Sequence, residues 1–132
     1  MTPGTRALVI ALLLPCAHVT LAGEEPLPPV WEQARARGVV LRAVGNEPGW
    51  MFELGDDDQA LLLTDYGLRR RTFNMSRHDN GMQLTATVDG KPLRASFTSA
   101  SCTDTMSGLI NPLRVTVMLG DKAFHGCGFD LR

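Results

Sequence analysis

The chain has 132 residues, 44% hydrophobic and 20% charged, with a formal net charge of −1. That balance excludes a disordered chain and a polytopic membrane protein. The near-neutral charge gives no electrostatic basis for nucleic-acid binding, and the Arg69-Arg70-Arg71 triplet reads as a solvated strand end.

Residues 1–22 read as a secretory signal peptide. Arg6 supplies the basic start, 7–17 is apolar apart from Pro15, and Thr20-Leu21-Ala22 offers small residues for signal peptidase. No acidic residue precedes Glu24. The segment is too short for a comfortable span, so no membrane span is expected after cleavage. Cys16 follows Pro15, where a lipidated cysteine needs a small residue before it. Cleavage after Ala22 or Gly23 is therefore expected in place of lipid anchoring, with delivery to the periplasm or the exterior. Residues 23–132 remain as a single domain of about 110 residues, enough for one modest core.

Residues 24–29 form an acidic, proline-rich leader. A short N-terminal helix is expected over 30–37, ended by Gly38, with Trp31 plugging one end of the core. From Val39 the pattern turns to β. Strands are expected at 39–44, 50–54, 59–64, 68–75, 82–88, 92–100, 113–119 and 122–131. Gly45-Asn46-Glu47-Pro48-Gly49 demands a bulge or sharp corner. Asp56-Asp57-Asp58 lacks the spacing of a calcium loop and reads as a solvated turn. Asn80-Gly81 and Asp89-Gly90 are hairpin turns. Alternation with one wet face and consecutive hairpins predict an all-β fold, a small antiparallel meander of about eight strands. Closing it into a barrel removes its edges, and a two-sheet sandwich is the alternative.

After signal removal two cysteines remain, Cys102 and Cys127, and in an oxidising compartment they are expected to pair. They bracket a long irregular segment, 101–112, stiffened by Pro112. Long anchored loops in compact domains carry function. The competing expectation is that this loop plugs the barrel, burying Met106, Leu109 and Ile110. Candidate binding residues are Asp104, Met106, Ser107 and Gly108 on the loop, joined by Asn46, Glu47 and Trp50 from the glycine-rich corner.

Catalytic constellations are thin, and no enzymatic activity is expected. Ser107, His125 and Asp104 can be written as a triad, but nothing gives Ser107 a strained elbow. Glu47 and Glu53 can be written as a glycosidase pair whose separation the sequence does not fix. Met75, Met82, Met106, His78 and His125 are soft or borderline ligands suited to copper, although Met75 and Met82 fall at core positions. No metal site or cofactor is expected.

Gly45-Asn46-Glu47-Pro48-Gly49-Trp50, Cys102-x-Asp104-x-Met106-Ser107-Gly108 and Gly126-Cys127-Gly128 together resemble a family of small bacterial envelope proteins and lipoproteins. The resemblance covers most of the mature chain and implies an envelope protein. More distantly, Ser107-Gly108-Leu109-Ile110-Asn111 is similar to the Ser-Gly-x-x-Tyr loop of bacterial lysozyme inhibitors, with Asn111 in place of the tyrosine. The expected function is an exported, non-enzymatic binding or interaction domain of the cell envelope, with an envelope protein or a small ligand as partner. A small-ligand or copper-binding protein and a lysozyme inhibitor-like protein are the alternatives.

Overall fold

The computed structural model describes residues 3–4, 9–12, 15–17 and 27–132. Arg6, the cleavage signal at 20–22, Gly23 and Glu24 lie outside the described residues, and Cys16 is exposed. The elements are helix α1 (Pro29–Ala36) and strands β1 (Val39–Asn46), β2 (Gly49–Gly55), β3 (Gln59–Thr64), β4 (Arg69–Asn74), β5 (Ser76–His78), β6 (Gln83–Val88), β7 (Lys91–Thr103), β8 (Ile110–Leu119) and β9 (Lys122–Asp130).

The strands form one antiparallel sheet in the order β4-β3-β2-β1-β9-β8-β7-β6-β5. Every pair of neighbours is consecutive in sequence except β1 and β9, which join the two ends of the meander. The outermost strands, β4 and β5, are themselves consecutive. β4 pairs with β3 as far as Asn74, and β5 pairs with β6 from Ser76. Met75 alone separates them, and its side chain is buried. The sheet is thus a nearly closed barrel, and one chain segment crosses the remaining seam. The expected strand at 68–75 corresponds to β4, and the short β5 beyond it was not expected, which raises the count from about eight to nine.

The core follows from alternation. Leu41 and Ala43, Phe52 and Leu54, Leu84, Leu93, Ala95 and Phe97, and Val115 and Val117 point inward and form one cluster. The residues between them face out. Gly38, at φ +85°, ends α1 as its missing side chain allows. Trp31 does not plug the barrel end. It packs with Ala34, Val39 and Leu131 in a second cluster, its ring 5.2 Å from that of Phe129. Phe129 lies opposite Arg42 in the β1–β9 ladder, on the outer face. Helix α1 therefore seals the outside of β1 and β9. Arg37 and Arg42 both bond the buried Glu53 carboxylate there, at 2.9–3.0 Å.

The Asp56–Asp58 turn is built from internal contacts: Asp57 accepts from the Gln59 N–H, and Asp58 pairs with Arg77. Among the described residues no helix is long and apolar enough to cross a membrane.

Candidate functional site

The site is made by a hairpin that outgrows the barrel. β7 and β8 pair regularly from Leu93–Leu119 to Ser99–Leu113, then the register slips, and pairing resumes at Cys102–Asn111 and Thr103–Ile110. Ala100 and Ser101 thus oppose Pro112 alone. Two residues against one is a bulge, which bends its strand, and proline has no N–H to donate to the ladder at that point. The segment expected to be irregular over 101–112 is mostly ladder beyond this bend, with only 104–109 outside the strands.

The bend turns the tip of the hairpin back over the outside of the barrel. Ser96, Thr116 and His125 share one row across β7, β8 and β9. Asp104 lies eight residues beyond Ser96, about 26 Å if the strand ran straight. Instead Asp104 meets Asn46, which follows Val44 by two residues in β1, and Val44 lies opposite Cys127. The tip is an arm folded onto β9 and β1.

Two fasteners hold it. The first is the Cys102–Cys127 disulfide, with Cα atoms 5.4 Å apart. The second is a polar cluster around Asp104. Asn46 Nδ2 donates to Asp104 Oδ1 at 2.6 Å and to Thr105 Oγ1 at 3.1 Å. Ser107 Oγ donates to Asp104 Oδ2 at 2.7 Å, and the Met106 N–H donates to Oδ1 at 3.0 Å. Burial pushes the Asp104 carboxyl up, but the donors Asn46, Ser107 and the backbone N–H groups outweigh it and hold the group below its ordinary value. The Gly108 N–H donates to the Asp104 carbonyl, and the Leu109 N–H to Ser107 Oγ, which tightens the turn.

The glycines of the two flanking motifs explain the fit. A Cβ on Gly45 would lie 2.0 Å from Trp50 Nε1, and one on Gly126 would lie 2.0 Å from the Val44 oxygen and 2.9 Å from the Trp50 ring. The indole of Trp50 therefore fills the space beside two bare backbones, and its N–H donates to the His125 carbonyl at 3.1 Å. Trp50 is 4% exposed. It supports the site from inside the barrel and has no face to offer a partner, contrary to its place among the expected binding residues.

Between arm and barrel lies a cleft of about 520 Å³. Asn46, Glu47, Thr103, Asp104, Arg114 and His125 line it. Arg114 and His125 are outward residues of β8 and β9 that the sequence reading did not assign to this site. The His125 ring is 3.3 Å from Thr116 Oγ1 through Nδ1. Arg114 and Glu47 have no hydrogen-bond or ion-pair partner among the described residues.

The arm's tip is apolar and bare. Met106 is 80% exposed, Ile110 69% and Leu109 42%. The expectation that these three plug the barrel is overturned, because the barrel interior is already filled by its own strands and the bend carries the tip outside. Gly108, at φ +72°, has open space around it.

The chemistry written on paper is not assembled. Ser107 donates directly to Asp104, and the His125 ring meets Thr116 Oγ1. Glu47 lies in the turn before β2 while Glu53 lies near the far end of that strand, bound to Arg37 and Arg42. Met75 is in the core, His78 contacts Thr85, and Met106 is at the arm's tip. Among the described residues no cluster of three or more His, Cys, Asp or Glu is placed to hold a metal. No family model, curated protein or solved structure matches the chain.

Proposed function

We propose that the protein is an exported, non-enzymatic binding domain of the bacterial cell envelope, and that the folded-back arm is its recognition element. Export is supported by the charge and apolar pattern of 1–22 and by the resemblance carried by the three motifs. The observation that carries the binding role is the arm itself. It is fixed by a disulfide and a charged hydrogen-bond cluster, yet it holds Met106 and Ile110 in solvent. Fixing a loop's backbone costs about 1–2 kcal/mol per residue. An arm ordered before it meets its partner spares association that cost. Exposed apolar side chains on a rigid support are what an interface core requires.

Lysozyme inhibition fits less well. The Ser107 hydroxyl is already donor to Asp104 and acceptor from Leu109, and Asn111, at the place of the inhibitors' tyrosine, is buried.

The test is capture from bacterial envelope extract by immobilised protein, followed by mass spectrometry. The Met106→Ser/Ile110→Ser double variant alters only exposed side chains and keeps the fold. A partner held by the wild type and lost by this variant supports the reading. Equal capture by both proteins places recognition elsewhere and sinks it.

A further inference from the structure

The cleft beneath the arm is a second surface, separate from the bare tip. Its unpaired charges are of opposite sign. Arg114 projects from the outer face of β8 and Glu47 follows the end of β1, and neither has a partner among the described residues. The Asp104 carboxylate, by contrast, is occupied by Asn46, Ser107 and the Met106 N–H. A simple anion would pair with Arg114 but meet Asp104 and Glu47; a simple cation would leave Arg114 unanswered. The complementary ligand carries both charges.

Spacing sets its length. Arg114 lies in the row of Cys127 and Val44, two strands from β1, and Glu47 is three residues beyond Val44. Two strand spacings and three residues put the two backbones about 14 Å apart. Both side chains line the same cleft, which suits a short chain of two or three residues, roughly 7–10 Å when extended. The volume, about 520 Å³, is within the usual range for small-ligand sites. His125 and the hydroxyl residues Thr103 and Thr105 also line the cleft, polar groups suited to peptide N–H and C=O.

We propose that the cleft between the arm and the outer faces of β1, β8 and β9 binds a short zwitterionic peptide, its carboxylate on Arg114 and its ammonium facing Glu47. This site does not require a protein partner at the arm's tip, and Met106 and Ile110 do not line it.

The experiment is calorimetric or NMR titration of the full domain with trialanine, N-acetyl-trialanine and trialanine amide. Trialanine binds saturably, with a dissociation constant on the order of 1 mM or below. Each blocked form binds at least about tenfold more weakly, since each loses one charge-assisted contact. Arg114→Gln brings trialanine down to the level of its amide, and Glu47→Gln brings it down to the level of its acetylated form. Arg94→Gln, which removes an exposed arginine outside the cleft, leaves all three titrations unchanged. Unchanged melting temperatures of the three variants show that the fold is intact. The proposal is overturned by absence of saturable trialanine binding, by indifference to either blocking group, or by binding that survives Arg114→Gln. Loss of trialanine binding with retained capture at the tip separates this site from the arm's partner surface.

Discussion

The sharpest consequence of the folded-back arm is a coupling between its two fasteners. Cys102 and Cys127 are 25 residues apart, and closing a loop of that length in the unfolded chain is worth about 3.5 kcal/mol by the chain-entropy relation. A domain of this size has a total stability of about 5–15 kcal/mol. The Cys102→Ala/Cys127→Ala variant should therefore lose a quarter to two-thirds of it and melt roughly 15–20 °C lower. Asn46→Ala removes a donor to the charged Asp104, and in the wild-type background it should cost about 1.5 kcal/mol. In the disulfide-free background the arm is no longer held against β1, so the same change should cost close to nothing. Urea denaturation of the four proteins in this cycle gives the coupling directly. If Asn46→Ala costs the same with and without the disulfide, the two fasteners act on different elements and do not form one clamp. A disulfide effect under about 1 kcal/mol would refute the loop-entropy account instead.

Three further outcomes follow from the same geometry. Gly126→Ala places a Cβ 2.0 Å from the backbone oxygen of Val44, so the β1–β9 seam must open. A loss of about 3 kcal/mol is expected by urea denaturation, against the 0.4–1 kcal/mol gain that glycine replacement gives where space allows, and an unchanged midpoint would contradict the packing. Glu53→Gln leaves Arg42, whose side chain is 12% exposed, without its carboxylate, and should cost about 2–3 kcal/mol. Arg37→Ala touches the exposed end of the same cluster and should cost under 1 kcal/mol. Finally, burial raises the Glu53 and Asp104 carboxyls, but hydrogen bonds outweigh it and hold both below their ordinary values of 4.5 and 3.8. The unfolded state then binds more protons in acid, so their stabilisation is present above those values and is lost as pH falls below them. A denaturation series from neutral pH into acid should show a flatter acid limb in Asp104→Asn and Glu53→Gln, and an unaltered limb in both would contradict the assignment.

The barrel was legible because its information is local. Leu93, Ala95 and Phe97 in β7 and Val115 and Val117 in β8 alternate without a break, and short turns leave such strands little choice of neighbour. The same local reading failed where the period slips. At Ala100 and Ser101 the extra residue shifts the alternation by one, so Cys102 and Thr103 looked like loop although they pair with Asn111 and Ile110. β5 was missed for a related reason: three residues between Met75 and a turn carry too short a pattern to register.

The site was legible by residue type and not by arrangement. Asn46, Asp104, Ser107 and the two cysteines stood out, and they do meet. His125 stood out only as a catalytic or metal-ligand candidate and Arg114 not as a site residue, because their convergence with Glu47 depends on a bend that carries the arm across two neighbouring strands. Trp50 shows the opposite failure. Its place beside the glycine-rich corner put it among the expected binding residues, yet the glycines at 45 and 126 are bare because the indole occupies the space their side chains would need. The three motifs are therefore one packing unit. Trp50 fixes the backbone of His125 from inside the barrel, the disulfide fixes Cys127 two residues on, and Asn46 ties the arm down at the cleft's far edge. A cleft floored and roofed by such contacts keeps its shape when empty, and that rigidity is what lets weak, separate charges on Arg114 and Glu47 discriminate between a free peptide and a blocked one.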